Sequence, residues 1–285
     1  MTAPPDRLPG AVRDLLRDWE LADEGERWQG RRSLVVPVTT ADGTPAALKI
    51  GLPDEESEHE HLALQHWHGK GAVRLLRADP GRRAMLLERL DRVDLAGHWD
   101  VEACEIVAGL YRDLHRPAFP QLRPLSEYAG RVARALGELS RDVPLPPRLV
   151  EQARHLAERF AADPATDGTV VHTDLHYGNV LAAERTPWLA IDPKPLSGDP
   201  HYEIAPLLWN RYDELAGGVR DGVRARFHAV VDTAGLDEHR ARDWVVVRAM
   251  DLARRRIADP PGLEGAIPTP VLLTRCVSIA KAVQD

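Results

Sequence analysis

The chain is short of cysteine, of lysine, of surplus positive charge and of long apolar runs, and each shortage excludes something. Cys104 and Cys276 are the only cysteines in 285 residues, far apart and without metal-ligand spacing. Neither a disulfide framework nor a thiolate metal site is expected, and a reducing compartment is. No stretch approaches the ~20 consecutive apolar residues that cross a bilayer. The opening residues, MTAPPDRLPG, lack a basic segment followed by an apolar run, so the expected location is cytoplasmic. A net charge of -7 disfavours nucleic acid and anionic membrane, both held by surplus Lys and Arg, and suits a cationic small molecule better. Lys49, Lys70, Lys194 and Lys281 are the only lysines against a background of arginine, so a lysine inside a strand-like run invites a chemical explanation. What remains is ordinary globular composition, 44% hydrophobic and 28% charged, which rules out a disordered chain. The length favours a two-lobed body.

Apolar spacing predicts a helix over 11–24 and a hairpin of strands 33–38 and 44–50 around Ala41-Asp42-Gly43. Pro37 interrupts the first strand and belongs at an edge or bulge, since it cannot donate to a ladder. A helix with an acidic start follows over 54–68, then strands 72–77 and 84–88 separated by the turn Asp79-Pro80-Gly81. From Leu95 the pattern becomes mainly helical, over 100–115, 126–139 and 147–162. Short β-like pieces at 169–171, 179–182 and 188–191 come next, followed by helices over 202–218, 220–234, 238–257 and 268–283. The expected fold class is α+β, with a small antiparallel-sheet N-lobe over 1–90 and a larger, mainly helical C-lobe over 91–285.

The strongest chemical signal is HTDLHYGN, which sets His172, Asp174 and Asn179 in a loop between β-like flanks, with Asp192 following at the end of LAID. Phosphoryl transfer needs a carboxylate to orient or deprotonate the attacking hydroxyl and oxygen ligands for ions bridging the phosphates. Asp174 fits the first role. Asn179 and Asp192 supply the hard oxygen donors that Mg²⁺ takes in small number. His172 is expected to orient the loop. Singly, such residues are common in turns for backbone reasons; together, and with a lysine in the upstream hairpin, they point to chemistry.

Through the H-x-D-x-x-x-x-N loop at 172–179 and the Asp at 192, the sequence resembles the aminoglycoside phosphotransferase superfamily, relatives of the protein kinases. HTDLHYGNVL and IDPKPLSGDPHYEIAPLLWNR at 191–211 are similar to its branch of streptomycin 6-phosphotransferases and hydroxyurea phosphotransferases. The resemblance implies a two-lobed protein-kinase-like fold, with a nucleotide-binding N-lobe and a C-lobe carrying the catalytic loop and substrate site. It implies ATP and Mg²⁺ as cofactors and phosphorylation of a streptomycin-type antibiotic, conferring resistance. Alternatives are a kinase for another hydroxylated metabolite such as hydroxyurea, and a catalytically silent nucleotide-binding module. By the same comparison Lys49, in LKI, contacts the α- and β-phosphates and is paired by Glu60 on the following helix, with Glu58 as runner-up. Backbone groups of Leu87, Glu88 and Arg89 would bond the adenine edge. The loop Trp28-Gln29-Gly30-Arg31-Arg32-Ser33 has one glycine where a glycine-rich phosphate cover would stand, leaving Ser33 and the backbone after Gly30 as its candidates.

A polycationic acceptor would be held by carboxylates, for which Asp199, Glu203, Asp213 and Glu214 are candidates. Tyr202 and Trp209 could flank a guanidinium through their ring faces. Lys194 would add positive charge near the phosphates or pair with a carboxylate. His59, His61, His66 and His68 share a helical stretch without the spacing that would converge them on a metal.

Overall fold

The computed structural model describes residues 8–30, 32–215, 218–260 and 267–284. Residues 1–7, Arg31 of the single-glycine loop and positions 216 and 217 of the helix expected over 202–218 lie outside the described residues. The chain divides into two compact units, one of residues up to Val93 together with Leu181–Pro195, the other of Asp94–Val180 and Leu196 onward.

The first unit opens with α1 (Leu8–Asp18), whose Val12 and Leu15, with Trp19 beyond it, are buried with Val36, Val38, Leu48, Ile50 and Leu86 of the sheet. Short strands β1 (Ala22–Asp23) and β2 (Trp28–Gln29) precede the expected hairpin of β3 (Ser33–Thr39) and β4 (Pro45–Gly51). Gly43, at φ 85°, takes the left-handed turn between them, a conformation costly to other residues. Helix α2 (Glu60–Trp67) is shorter than expected, because the acidic run before it forms turns. β5 (Leu75–Asp79) and β6 (Ala84–Glu88) complete a sheet of order β1-β3-β4-β6-β5, with β2 also on β3. Pro37 does not lie on a bare edge. It falls between the β1 pairing, at Val38 and Thr39, and the β2 pairing, at Leu34 and Val35, so its missing N–H disrupts neither.

The second unit continues with α3 (Asp100–Leu114), α4 (Leu125–Gly137), α5 (Pro147–Ala162) and β7 (Thr169–Val171), which leads directly into the HTDLHYGN loop. β8 (Val180–Ala182) and β9 (Trp188–Ala190) pair with each other. Beyond the loop, residues 181–195 are stitched to the first unit: Ala182 exchanges backbone hydrogen bonds with Asp91 and Val93, and Ala190 with Gly71 and Val73. β10 (Leu196–Gly198) then pairs antiparallel with β7. α6 (Ala205–Trp209), α7 (Val219–Ala234), α8 (Glu238–Ala258) and α9 (Thr269–Ala282) follow. Helices α4, α5, α8 and α9 enclose a hydrophobic core, where Phe160 and Trp244 stack at 3.8 Å.

One expected helix is corrected. Residues 202–218 do not run as one helix: a 3₁₀ turn, Pro200–Ile204, leads into the five-residue α6, and a second, Tyr212–Leu215, follows a break at Asn210 and Arg211. The fully buried Arg226 guanidinium takes the carbonyls of Asn210 and Arg211, at 2.9 and 3.0 Å, which a continuing helix would have used internally.

Candidate active site

In the first unit, Lys49 on β4 points inward and is only 6% exposed. Its Nζ donates to Glu60 Oε1 at 2.6 Å and to Asp192 Oδ1. Glu60 opens α2 and is buried, whereas Glu58 lies exposed in the preceding turn, so burial and direction both select Glu60. Asp192 has a left-handed backbone, φ 57°, just beyond β9, and its side chain is 40% exposed. Burial would draw the Lys49 ammonium down, but the charges of Glu60 and Asp192 outweigh it and hold the lysine above its ordinary range. Burial pushes Glu60 up to about 7 against the pull of Lys49, while the nearby negative Asp192 adds to the rise. Lys49, Glu60, His59, His61, Arg83 and Met85 are among the residues lining a cavity of about 340 Å³.

The residues expected at the adenine edge are more occupied than anticipated. Glu88 donates its N–H to the Arg74 carbonyl at 3.0 Å, while its carboxylate accepts from Arg74 N and pairs with Arg185, both at 2.6 Å. Glu88 is therefore a strut of the sheet, not an available donor. Leu87 is buried in the ladder opposite Ala47 and Leu75. Arg89 folds its guanidinium back onto the carbonyls of Ala46 and Val38. Ser33 closes the single-glycine turn by accepting from Gly30 N at 2.8 Å.

In the second unit the HTDLHYGN loop is anchored at several points. His172 and Thr173 donate their backbone N–H groups to the carboxylate of Glu203, the latter at 3.0 Å. The His172 ring nitrogen Nδ1 accepts from Asp174 N at 3.4 Å, so the histidine shapes the turn into Asp174. Asn179 donates its side-chain NH₂ to the Asp174 carbonyl at 2.8 Å, which leaves its amide oxygen as the group a cation could use. Tyr177 drives its ring into the core, with Arg211 over one face at 4.9 Å, and donates its hydroxyl to the Leu207 carbonyl at 3.0 Å. Asp174 itself is half-buried. Glu203 is 0% exposed, and burial would raise its carboxyl; His115, His172 and the backbone N–H of His172 reverse the shift and hold it below the usual range.

The packing gives the substrate-side candidates partners within the chain itself. Asp199 is 1% exposed; it accepts from His201 N, Trp244 Nε1 and Arg240 Nε at 3.0, 2.7 and 2.5 Å, so it ties the loop to α8. Glu203 is consumed by the loop backbone. Tyr202 is buried, and it and Trp209 do flank a guanidinium, but that of this chain's own Arg248, at 4.0 and 5.1 Å from their ring centroids. Asp213 is exposed and pairs with Arg275 at 2.5 Å, and Glu214 with Arg211 at 2.5 Å. Sequence reasoning did not single out Arg248, Tyr177 or Arg226; only the tyrosine's place inside the loop offered a hint.

A buried lysine–glutamate pair on a small antiparallel sheet, and a strand-flanked Asp-x-x-x-x-Asn loop on a helical body, define a phosphotransferase of protein-kinase-like fold. The fold agrees with that of an aminoglycoside phosphotransferase solved as a ternary complex with ADP and hygromycin B, at a TM-score of 0.62 and 15% identity over 95% of this chain and 97% of that one. The chain belongs to the aminoglycoside/hydroxyurea antibiotic resistance kinase family, whose profile covers residues 18–259. It is 41% identical over 261 residues to the streptomycin 6-kinase of Streptomyces glaucescens, spanning 88% of this chain and 84% of that one. It is 44% identical over 253 residues to the hydroxyurea phosphotransferase of Kitasatospora aureofaciens, spanning 85% and 71%.

Proposed function

We propose that this protein transfers the γ-phosphoryl group of ATP to a hydroxyl of a streptomycin-type aminoglycoside, in the cytoplasm, and so confers resistance. The observation that carries the reading is the Asp174 loop: a half-buried carboxylate on a backbone fixed by Glu203, followed by an asparagine whose NH₂ is tied back and whose oxygen, among the described residues, accepts no hydrogen bond. Asp174 orients the acceptor hydroxyl and takes its proton as that oxygen bonds to the γ-phosphorus and the bond to ADP breaks. Lys49, kept charged by Glu60 and Asp192, holds phosphate oxygens of the nucleotide.

Asn179 and Asp192 fit Mg²⁺ by donor chemistry, one offering an amide oxygen and the other a partly exposed carboxylate. Bound there, the ion would neutralise phosphate charge. In this reading residues 1–90 form the nucleotide-binding lobe and 91–285 carry the catalytic loop and acceptor site, with 181–195 bringing Asp192 to the nucleotide side. The acceptor is cationic, in keeping with the net charge of -7. A hydroxyurea kinase is the second reading, favoured by the 44% identity to a hydroxyurea phosphotransferase.

The test is ADP release with ATP and Mg²⁺ across streptomycin, other aminoglycosides and hydroxyurea, with Asp174→Ala as control. Turnover with streptomycin, slowed ~10²–10⁴-fold in the variant, is the expected outcome. Turnover with hydroxyurea alone would transfer the assignment to the second reading. Binding of ATP without turnover of any acceptor would leave a silent nucleotide-binding module.

A further inference from the structure

Arg248, on α8, is 8% exposed, and among the described residues no carboxylate pairs with it. Its guanidinium donates to the carbonyls of Tyr202 and Thr173, both at 2.9 Å, and is enclosed by the Tyr202 and Trp209 rings. A cation withdrawn from water without a counter-ion is unfavourable, and carbonyl dipoles and ring faces only partly replace one. An apolar side chain of similar bulk would pack there without that penalty. The charge therefore answers to a demand at its partners.

That demand lies at Thr173. Its φ is 65°, the left-handed region, which a β-branched residue adopts only under constraint. The constraint comes from two sides: Glu203 accepts the N–H groups of His172 and Thr173, and Arg248 donates to the Thr173 carbonyl. That carbonyl belongs to the peptide joining Thr173 to Asp174, so fixing its direction fixes the plane from which the Asp174 side chain departs.

We propose that Arg248 is a positioning residue for phosphoryl transfer: clamped between Tyr202 and Trp209, it locks the Thr173–Asp174 peptide in the strained orientation that aims the Asp174 carboxylate at the acceptor hydroxyl. The proposal rests on the reading of Asp174 given above. It differs from a purely structural role in one respect, since the need for Arg248 should fade when residue 173 takes a positive φ freely.

The experiment measures kcat, KM for both substrates and thermal unfolding for Arg248→Met, Arg248→Lys, Thr173→Gly and Thr173→Gly/Arg248→Met, with Asp174→Ala alongside. Arg248→Met should lower kcat by about 10–100-fold, the range such backbone strain commands, with both KM values within about 3-fold. Arg248→Lys should fall between. In the Thr173→Gly background the same Arg248→Met change should lower kcat by no more than about 3-fold, because glycine populates positive φ without penalty. A kcat for folded Arg248→Met equal to wild type, or a loss undiminished by Thr173→Gly, overturns the proposal. If Arg248→Met does not fold, Arg248→Lys with and without Thr173→Gly makes the same comparison. If Asp174→Ala retains turnover, the catalytic reading falls and this proposal with it; if Asp174→Ala is silent while Arg248→Met turns over normally, only the positioning role falls.

Discussion

Two carboxylates of the protein are almost equally buried, Glu203 at 0% and Glu60 at 3% exposure, yet their acidities move in opposite directions. Glu203 receives two backbone N–H groups and has His115 and His172 beside it, so its charged form is favoured despite burial. Glu60 has Lys49, with a weaker pull from Lys194, to set against burial and the negative Asp192. Because Glu203 is more acidic folded than unfolded, its contribution to stability is full above the ordinary glutamate value near 4.5 and is lost as pH falls through its lower folded value. Urea unfolding at several pH values between 7 and 3 should therefore show a shallower acid decline in Glu203→Gln than in wild type. At pH 7 the variant should be less stable by about 2–4 kcal/mol, the scale of a disrupted buried charge–amide network. Parallel acid slopes in the two proteins would show that Glu203 is not the titrating group. Lys49 was legible in the sequence because lysine is scarce and its strand was well patterned. Arg248 was not, being one arginine among many on an amphipathic helix.

At the scale of elements, strand β10 escaped detection because Leu196-Ser197-Gly198 is too short to show alternation. Its pairing with β7 nevertheless sets the entry to the loop, since β7 ends at Val171, immediately before His172. Gly198 is needed there for space: a Cβ at that position would lie 2.6 Å from Val171 Cγ2 and 3.1 Å from Leu125 Cδ2. Gly198→Ala should cost about 1–3 kcal/mol in denaturant unfolding, as overpacked cores do, and should lower kcat along with stability. Unchanged stability would mean that β10 can move away from β7 freely. The broken helix over 202–215 has the same origin in contacts from elsewhere, because Arg226 takes from Asn210 and Arg211 the carbonyls that local periodicity assigned to a continuous helix.

At the scale of the whole molecule, the net charge of -7 and a cationic acceptor predict a salt-dependent encounter. The kcat/KM for streptomycin should fall several-fold as ionic strength rises from about 10 to 150 mM and the Debye length shrinks from about 30 to 8 Å. The same titration with neutral hydroxyurea should be nearly flat; equal slopes for the two would remove charge steering from the account. The sequence by itself determined the α+β class, most element positions and the residues of the Asp174 loop, because backbone propensity, periodicity and close spacing act over a few residues. Which carboxylates and aromatics remain open to a ligand was decided only by tertiary structure. Asp199, Glu203, Tyr202 and Trp209 look available along the chain, but burial and contacts with residues such as Arg248, 75 positions from the Thr173 carbonyl it holds, turn them into the frame of the site. Such pairings depend on how distant helices and strands pack, and local sequence patterns do not record them.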